Sequence, residues 1–331
     1  MENRITSLLE KLVNMESVTG NEQGVSEFLC GWLKNAGYDV GLQDVADNRC
    51  NILASRGNPR ILFCTHMDTV APFIPFSSDG QILRGRGTCD AKGSMAAMLL
   101  AGERLAAEGR DDIGFLFVAG EETNSDGAKK ARELGLDVEY IILGEPTDNR
   151  VAVAQKGTLV FRAEVKGLAG HSALPSSGRS AVHKMSALIK EWLDADWKTD
   201  PERGANTLNI GTIRGGTAPN VIAPGCVAEG IFRVATSVKE VLEIMMREIA
   251  GDEDVTVEIL SSSEPLNLTK VPGVEHTVVS FGSDAPFLTG IGKVIMCGPG
   301  SIKYAHSLEE QISTGELLEG IEKYCSIVLA I

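Results

Sequence analysis

Histidines and acidic residues stand in this chain at the places where short apolar runs stop. ILFC (61–64) is followed by Thr65-His66-Met67-Asp68, FLFVA (115–119) by Gly120-Glu121-Glu122, and YIIL (140–143) by Gly144-Glu145. VIMC (294–297) is followed by a glycine-rich turn that leads to His306, and Asp90 stands just before a helical pattern beginning near Ala91. Imidazole and carboxylate are the ligands that zinc prefers. Five such positions, with an aspartate available to bridge, suit two ions, typically about 3.5–4 Å apart. Asp68 lies two residues beyond His66 on an extended segment, so both side chains point the same way. Its carboxylate is placed to take the second ring N–H of His66 and fix the tautomer. Glu121 and Glu122 are neighbours that face different ways, which lets one bind metal while the other reaches the attacking water as general base.

These residues need a frame that brings strand ends together. The apolar runs at 60–64, 113–119, 140–143 and 293–297 read as strands buried on both faces, with helical patterns at 26–36, 91–108 and 128–133 among them. Such alternation predicts an α/β fold: a mostly parallel sheet with helices on both faces, a three-layer αβα arrangement. In an open parallel sheet the site forms outside the carboxyl ends of the strands. The middle of the chain differs. TLVFRAEVK (158–166) alternates apolar and polar residues, and the order strand, helix (180–193), strand (207–213), strand (226–234), helix (238–249), strand (255–260) is ferredoxin-like. We therefore expect a catalytic domain of residues 1–157 and 266–331 and an inserted α+β domain at 158–265.

Composition narrows the function classes. The chain of 331 residues carries a formal net charge of −14, which argues against a nucleic-acid partner. Met1–Glu16 carries mixed charges and helical apolar spacing rather than a signal peptide, and no run is long enough to span a membrane. The seven cysteines are scattered without a CxxC pair, as expected for a reducing, cytoplasmic setting.

THMDTV (65–70), GRGTCDAKG (85–93), AGEET (119–123), GEPTD (144–148), GHSALP (170–175), GGTAPNVIAP (215–224), GSDAPF (282–287) and GPGSIKYAHSLEE (298–310) together resemble, in order and over nearly the whole chain, one metallopeptidase and deacylase family. It includes acetylornithine deacetylase, succinyl-diaminopimelate desuccinylase, aminoacylase and carboxypeptidase G. The resemblance implies that His66, Asp90 and Glu145 hold one Zn²⁺ and that Asp90, Glu122 and His306 hold the other, with Co²⁺ as a substitute. It implies Glu121 as general base, Asp68 as the residue orienting His66, and a cis peptide bond at Asp90-Ala91. It implies that the inserted domain acts as a lid and homodimerisation surface. His171 then reaches a neighbouring subunit's site to hold the oxyanion, and Asn220 and Arg233 bind the substrate carboxylate. The family often has His-Thr-Pro-x-Glu where this chain has HSLEE; Glu310 keeps the acidic spacing, and the missing proline affects substrate recognition there.

The expected activity is removal of an N-acyl group from a small amino acid. GPGSIKYAH and the glutamate at 145 favour N-acetylornithine deacetylation in arginine biosynthesis, with succinyl-diaminopimelate or another N-acyl amino acid or peptide as the alternative. A binding protein that has lost catalysis is disfavoured because every presumed ligand and Glu121 are present. A nucleotide-dependent oxidoreductase is disfavoured because Gly85-Arg86-Gly87 lacks the third glycine of the phosphate-binding fingerprint.

Overall fold

The computed structural model describes residues 1–331. The chain divides into two compact units: Met1–Val153, Leu268–Thr277 and Ser283–Ile331 form the first, and Ala154–Asn267 and Val278–Gly282 the second. The sequence sets the change-over a few residues inside Ala154–Asn267 and places Val278–Gly282 with the first unit rather than the second. Backbone pairing explains the first difference, because Gln155 pairs with Leu266 and Ala154 with Asn267.

The first unit opens with helices α1 (Glu2–Val13) and α2 (Gln23–Asn35), then strands β1 (Asp39–Ala46), β2 (Arg49–Ser55) and β3 (Ile61–His66). Two short strands, β4 (Ser77–Ser78) and β5 (Ile82–Arg84), precede α3 (Lys92–Ala107), β6 (Ile113–Val118), α4 (Asp126–Ala131), β7 (Tyr140–Leu143) and β8 (Val151–Gln155). The second unit contains β9 (Gly157–Lys166), α5 (Ala181–Asp194), β10 (Thr199–Asp200), β11 (Gly204–Ala205), β12 (Thr207–Gly215), β13 (Gly225–Val234), α6 (Val238–Arg247), β14 (Val255–Ser263) and β15 (Leu266–Asn267). The chain ends with β16 (His276–Val279), α7 (Ala285–Leu288), β17 (Lys293–Met296), β18 (Gln311–Ser313) and α8 (Thr314–Ala330).

The central sheet runs in the order β1-β2-β6-β3-β7-β17-β8. The four strands that end near candidate ligands, β6, β3, β7 and β17, are therefore consecutive neighbours, and each adjacent pair among them is parallel. Every residue of β3 and β6 is buried, which accounts for the apolar runs ILFC and FLFV within them. β1 and β2 pair antiparallel, and β2 joins β6 antiparallel, so the sheet is parallel at its centre only. From β3 the chain passes through α3 to β6 on one side and then crosses to β7 on the other. That makes the carboxyl end of β3 a topological switch point, where open α/β sheets form their clefts. Helix α3 packs against both α1 and α8, and nearly all of its first three turns are buried. The buried Lys92 ammonium donates to the carbonyls of Leu12 and Met15 at 2.9 and 2.7 Å, so it satisfies backbone acceptors at the end of α1. A capping box between Ser313 and Glu316 starts α8.

In the second unit the sheet order β12-β13-β9-β14 is antiparallel throughout. Leu159, Phe161, Ala163 and Val165 face a core with Ala181, Met185, Leu188 and Trp192 of α5 and Val241 and Met245 of α6. The alternate residues Arg162 and Glu164 face solvent, which is the period-two pattern legible in the sequence. Phe161 meets Trp192 edge-on at 5.4 Å between ring centroids and Phe232 at 5.7 Å. No helix is long and apolar enough to cross a membrane.

Because Trp192 is fully buried in this cluster, Trp192→Ala is expected to cost about 3–5 kcal/mol of the second unit's stability. Denaturant titration followed by far-UV circular dichroism measures it. A loss below about 1 kcal/mol would show that the aromatic cluster does not hold this unit together.

Candidate active site

Asp90 lies at the centre of the site. Its Oδ1 is 3.1 Å from His66 Nε2 and its Oδ2 is 3.3 Å from His306 Nε2, so one carboxylate oxygen faces each imidazole. Glu122 Oε2 is 2.9 Å from His306 Nε2. Ligand atoms of His66, Asp90 and Glu122 all lie within 4.8 Å of one another. Glu145, just beyond β7, is buried, and its Oε1 has no hydrogen-bond partner; Glu122 Oε1 is equally unpartnered. The peptide bond Asp90-Ala91 is cis, as the resemblance implies, and Ala71-Pro72 is cis as well.

The electrostatics follow from this crowding. Burial works to raise the Asp90 carboxyl, but hydrogen bonds from His306 and His66 outweigh it and hold it well below the usual range. Hydrogen bonds to Asp90 and Glu122 push the His306 imidazole up to about 10. Burial opposes protonation of His66, yet Asp68 and Asp90 carry it well above its ordinary value. Burial raises Glu121 well above a normal carboxyl; His66 opposes the rise, and Asp284, Glu122 and Asp90 add to it. Glu145 is raised for the same leading reason. Nitrogen and oxygen donors, two unpartnered buried carboxylate oxygens and an aspartate facing two imidazoles fit a divalent metal ion.

Asp68 does more than the sequence assigns to it. His66 Nδ1 is 2.9 Å from the main-chain oxygen of Asp68 and 3.5 Å from its carboxylate, so the backbone carbonyl makes the closer contact with the ring. The carboxylate is turned to the loop after β6: Oδ1 accepts the N–H groups of Gly120 and Glu121 at 3.0 and 3.1 Å, and Oδ2 accepts that of Glu122 at 3.2 Å. Thr19 Oγ1 donates to Oδ2 at 2.7 Å. Gly120 has φ +78°, and a Cβ there would strike the Arg49 guanidinium, which Glu22 holds at 2.8 Å. The loop that presents Glu121 and Glu122 is thus fixed from both sides.

His171, Asn220 and Arg233 belong to the second unit. His171 is exposed, forms a backbone bridge with Val221, and lies beside Asn220, whose oxygen accepts the Ser172 N–H at 3.1 Å. Arg233 stands near the far end of β13, roughly 25 Å along the strand from Gly225, at about 3.3 Å per residue. One chain therefore does not bring Asn220 and Arg233 to the same carboxylate. Arg233 is half-buried without a hydrogen-bonded or ionic partner, and burial alone lowers its pKa. His183 is exposed on α5, and His276 Nε2 meets the Val271 carbonyl at 2.9 Å.

Asp284 escaped the sequence reading, and Glu310 was noted there only for its acidic spacing. Asp284, within GSDAPF, is buried, and burial pushes its carboxyl up to about 6; it adds negative charge near Glu121 and Glu145. Glu310 is 1% exposed and its carboxylate accepts backbone N–H groups of the loop carrying Asp90, so it holds that loop. Their motifs were legible; their burial was not.

The model of the peptidase family M20/M25/M40 matches residues 62–330. A peptidase M20 domain-containing protein of Schizosaccharomyces pombe is 36% identical over 98% of this chain and 84% of its own length. A probable carboxypeptidase of Aspergillus clavatus is 34% identical over 98% of this chain and 82% of its own. Among solved structures, a Staphylococcus aureus tripeptidase has a TM-score of 0.84 at 22% identity, covering 99% of this chain and 98% of that one. Human carnosine dipeptidase 1 has a TM-score of 0.77 at 17% identity, covering 99% and 96%. With this fold, and with paired histidines and carboxylates gathered at the parallel strand ends, the chain belongs to the peptidase family M20/M25/M40 and is a hydrolase of amide or peptide bonds.

Proposed function

We propose that the chain is a two-zinc hydrolase that cleaves the linear amide of an N-acyl amino acid or short peptide bearing a free carboxylate. The observation that carries this reading is Asp90 standing between two imidazoles with Glu121 close by. His66, Asp90 and Glu145 would hold one ion, and Asp90, Glu122 and His306 the other. Metal there supplies Lewis acidity toward the scissile carbonyl and the attacking water. Glu121, its proton affinity raised by burial and by neighbouring carboxylates, takes the proton from that water and delivers it to the leaving amine. His171 serves the oxyanion of a partner subunit's site, and Asn220 goes with it because the two share one backbone arrangement. Arg233, an unpaired guanidinium, takes the substrate carboxylate through its planar fork.

Similarity to fungal proteins named as probable carboxypeptidases supports a substrate with a free C-terminal carboxylate. N-acetylornithine is the narrower candidate carried by GPGSIKYAH, with succinyl-diaminopimelate next.

Glu121→Gln is expected to lower kcat by at least about 10²-fold while metal analysis still finds two zinc ions per chain; a wild-type rate would remove Glu121 as the base. A panel of N-acetylornithine, succinyl-diaminopimelate, other N-acyl amino acids and di- and tripeptides, read by released amine, identifies the substrate. Amide-capped versions are expected to be poor substrates, and Arg233→Ala to raise KM about tenfold or more. Equal cleavage of capped and free forms would overturn carboxylate recognition. Both imidazoles have raised pKa values, so protons compete with metal for them. At pH 7.5, zinc added to chelator-treated protein should eject about one proton per imidazole, and apparent affinity should fall as pH falls. Calorimetry in buffers of different ionisation enthalpy reads the proton count, and a count of zero would show that the rings are not ligands.

A further inference from the structure

Next to the site lies a buried ion pair that the proposed chemistry leaves unused. Arg86 Nη1 is 2.7 Å from Glu310 Oε2, with the two residues 2% and 1% exposed. Glu310 Oε1 accepts three backbone N–H groups, from Gly87, Cys89 and Asp90, at 3.0, 3.0 and 3.1 Å. Arg86 also donates to the carbonyls of Ser307 at 3.1 Å and Pro72 at 3.2 Å. One carboxylate and one guanidinium therefore bind two loops together. The first loop ends in Asp90; the second carries His306, four residues before Glu310 and adjacent to Ser307. His306 has φ +63°, a backbone conformation that L side chains seldom adopt and that its surroundings must hold. Convergent amides together with a guanidinium favour an anion at position 310, working against burial, which raises the Glu310 carboxyl.

We infer that Glu310, locked by Arg86, is a positioning residue that sets the Asp90 carboxylate relative to His306 and thereby fixes the affinity of the metal site which these two share with Glu122. This rests on the two-metal reading above. The other site shares Asp90 but draws its remaining ligands, His66 and Glu145, from the ends of β3 and β7, which neither Arg86 nor Glu310 holds, so it should be weakened less. Glu310→Gln keeps the size and one acceptor oxygen, but its amide meets Arg86 donor to donor. Arg86→Lys keeps the charge and loses the fork.

The test measures zinc affinity by chelator competition, and the visible spectrum of the Co²⁺-loaded protein, for wild type and both variants. Circular dichroism and thermal melts confirm that the variants fold. The expected result is a 10–100-fold loss at one of two metal sites, a clearly smaller loss at the other, which shares Asp90 alone, and an altered Co²⁺ spectrum for the weakened site. Arg86→Lys supplies the same reading should Glu310→Gln fail to fold. Unchanged affinities, or equal losses at both sites, would overturn the inference while leaving the two-metal reading intact. Wild-type protein that takes up fewer than two zinc ions would overturn both.

Discussion

A single carboxylate shared between two imidazoles organises this protein. Asp90 faces His66 with one oxygen and His306 with the other, and the two histidines come from chain segments 240 positions apart. That sharing requires β3 and the segment after β17 to end on the same side of the sheet, and the parallel run β6-β3-β7-β17 provides it. Asp90 must also stand at the start of the crossover helix α3, which ties its position to the core formed by α1, α3 and α8.

The surrounding architecture uses one device twice. Asp68 and Glu310 are both buried carboxylates, and each accepts three backbone N–H groups from a loop that carries site residues. Asp68 holds the loop of Glu121 and Glu122; Glu310 holds the loop of Asp90. Charge-assisted hydrogen bonds to main chain are stronger than neutral ones, and three to one carboxylate hold the loop backbone in place. This stiffness lets carboxylates that repel one another stay close together, a repulsion that contributes to the raised proton affinities of Glu121 and Glu145.

Much of this was legible because the relevant signals are local. Uniformly apolar runs marked β3, β6, β7 and β17, and alternation marked β9. The residues at those strand ends could therefore be named before any distance was known. The antiparallel hairpin of β1 and β2 was not named: DVGLQDVA is polar and largely exposed, so it lacks the buried-strand signature. β8 and α8 were also passed over, although VAVAQ is fully buried. The roles of Asp68 and Glu310 depend on backbone amides of distant segments, which no spacing rule encodes. The separation of Asn220 from Arg233 follows from strand length, but only once β13 is known to run between them.

The insertion of the second unit has a consequence for synthesis on the ribosome. His66, Asp90, Glu122 and Glu145 are all made before Ala154, whereas β17, His306 and Glu310 follow Leu268. A nascent chain thus carries most of a metal cluster for more than a hundred residues of elongation without the strand that sits between β7 and β8 or the last histidine. Until translation passes the final turn before α8, those early carboxylates have neither their last imidazole partner nor their complete sheet.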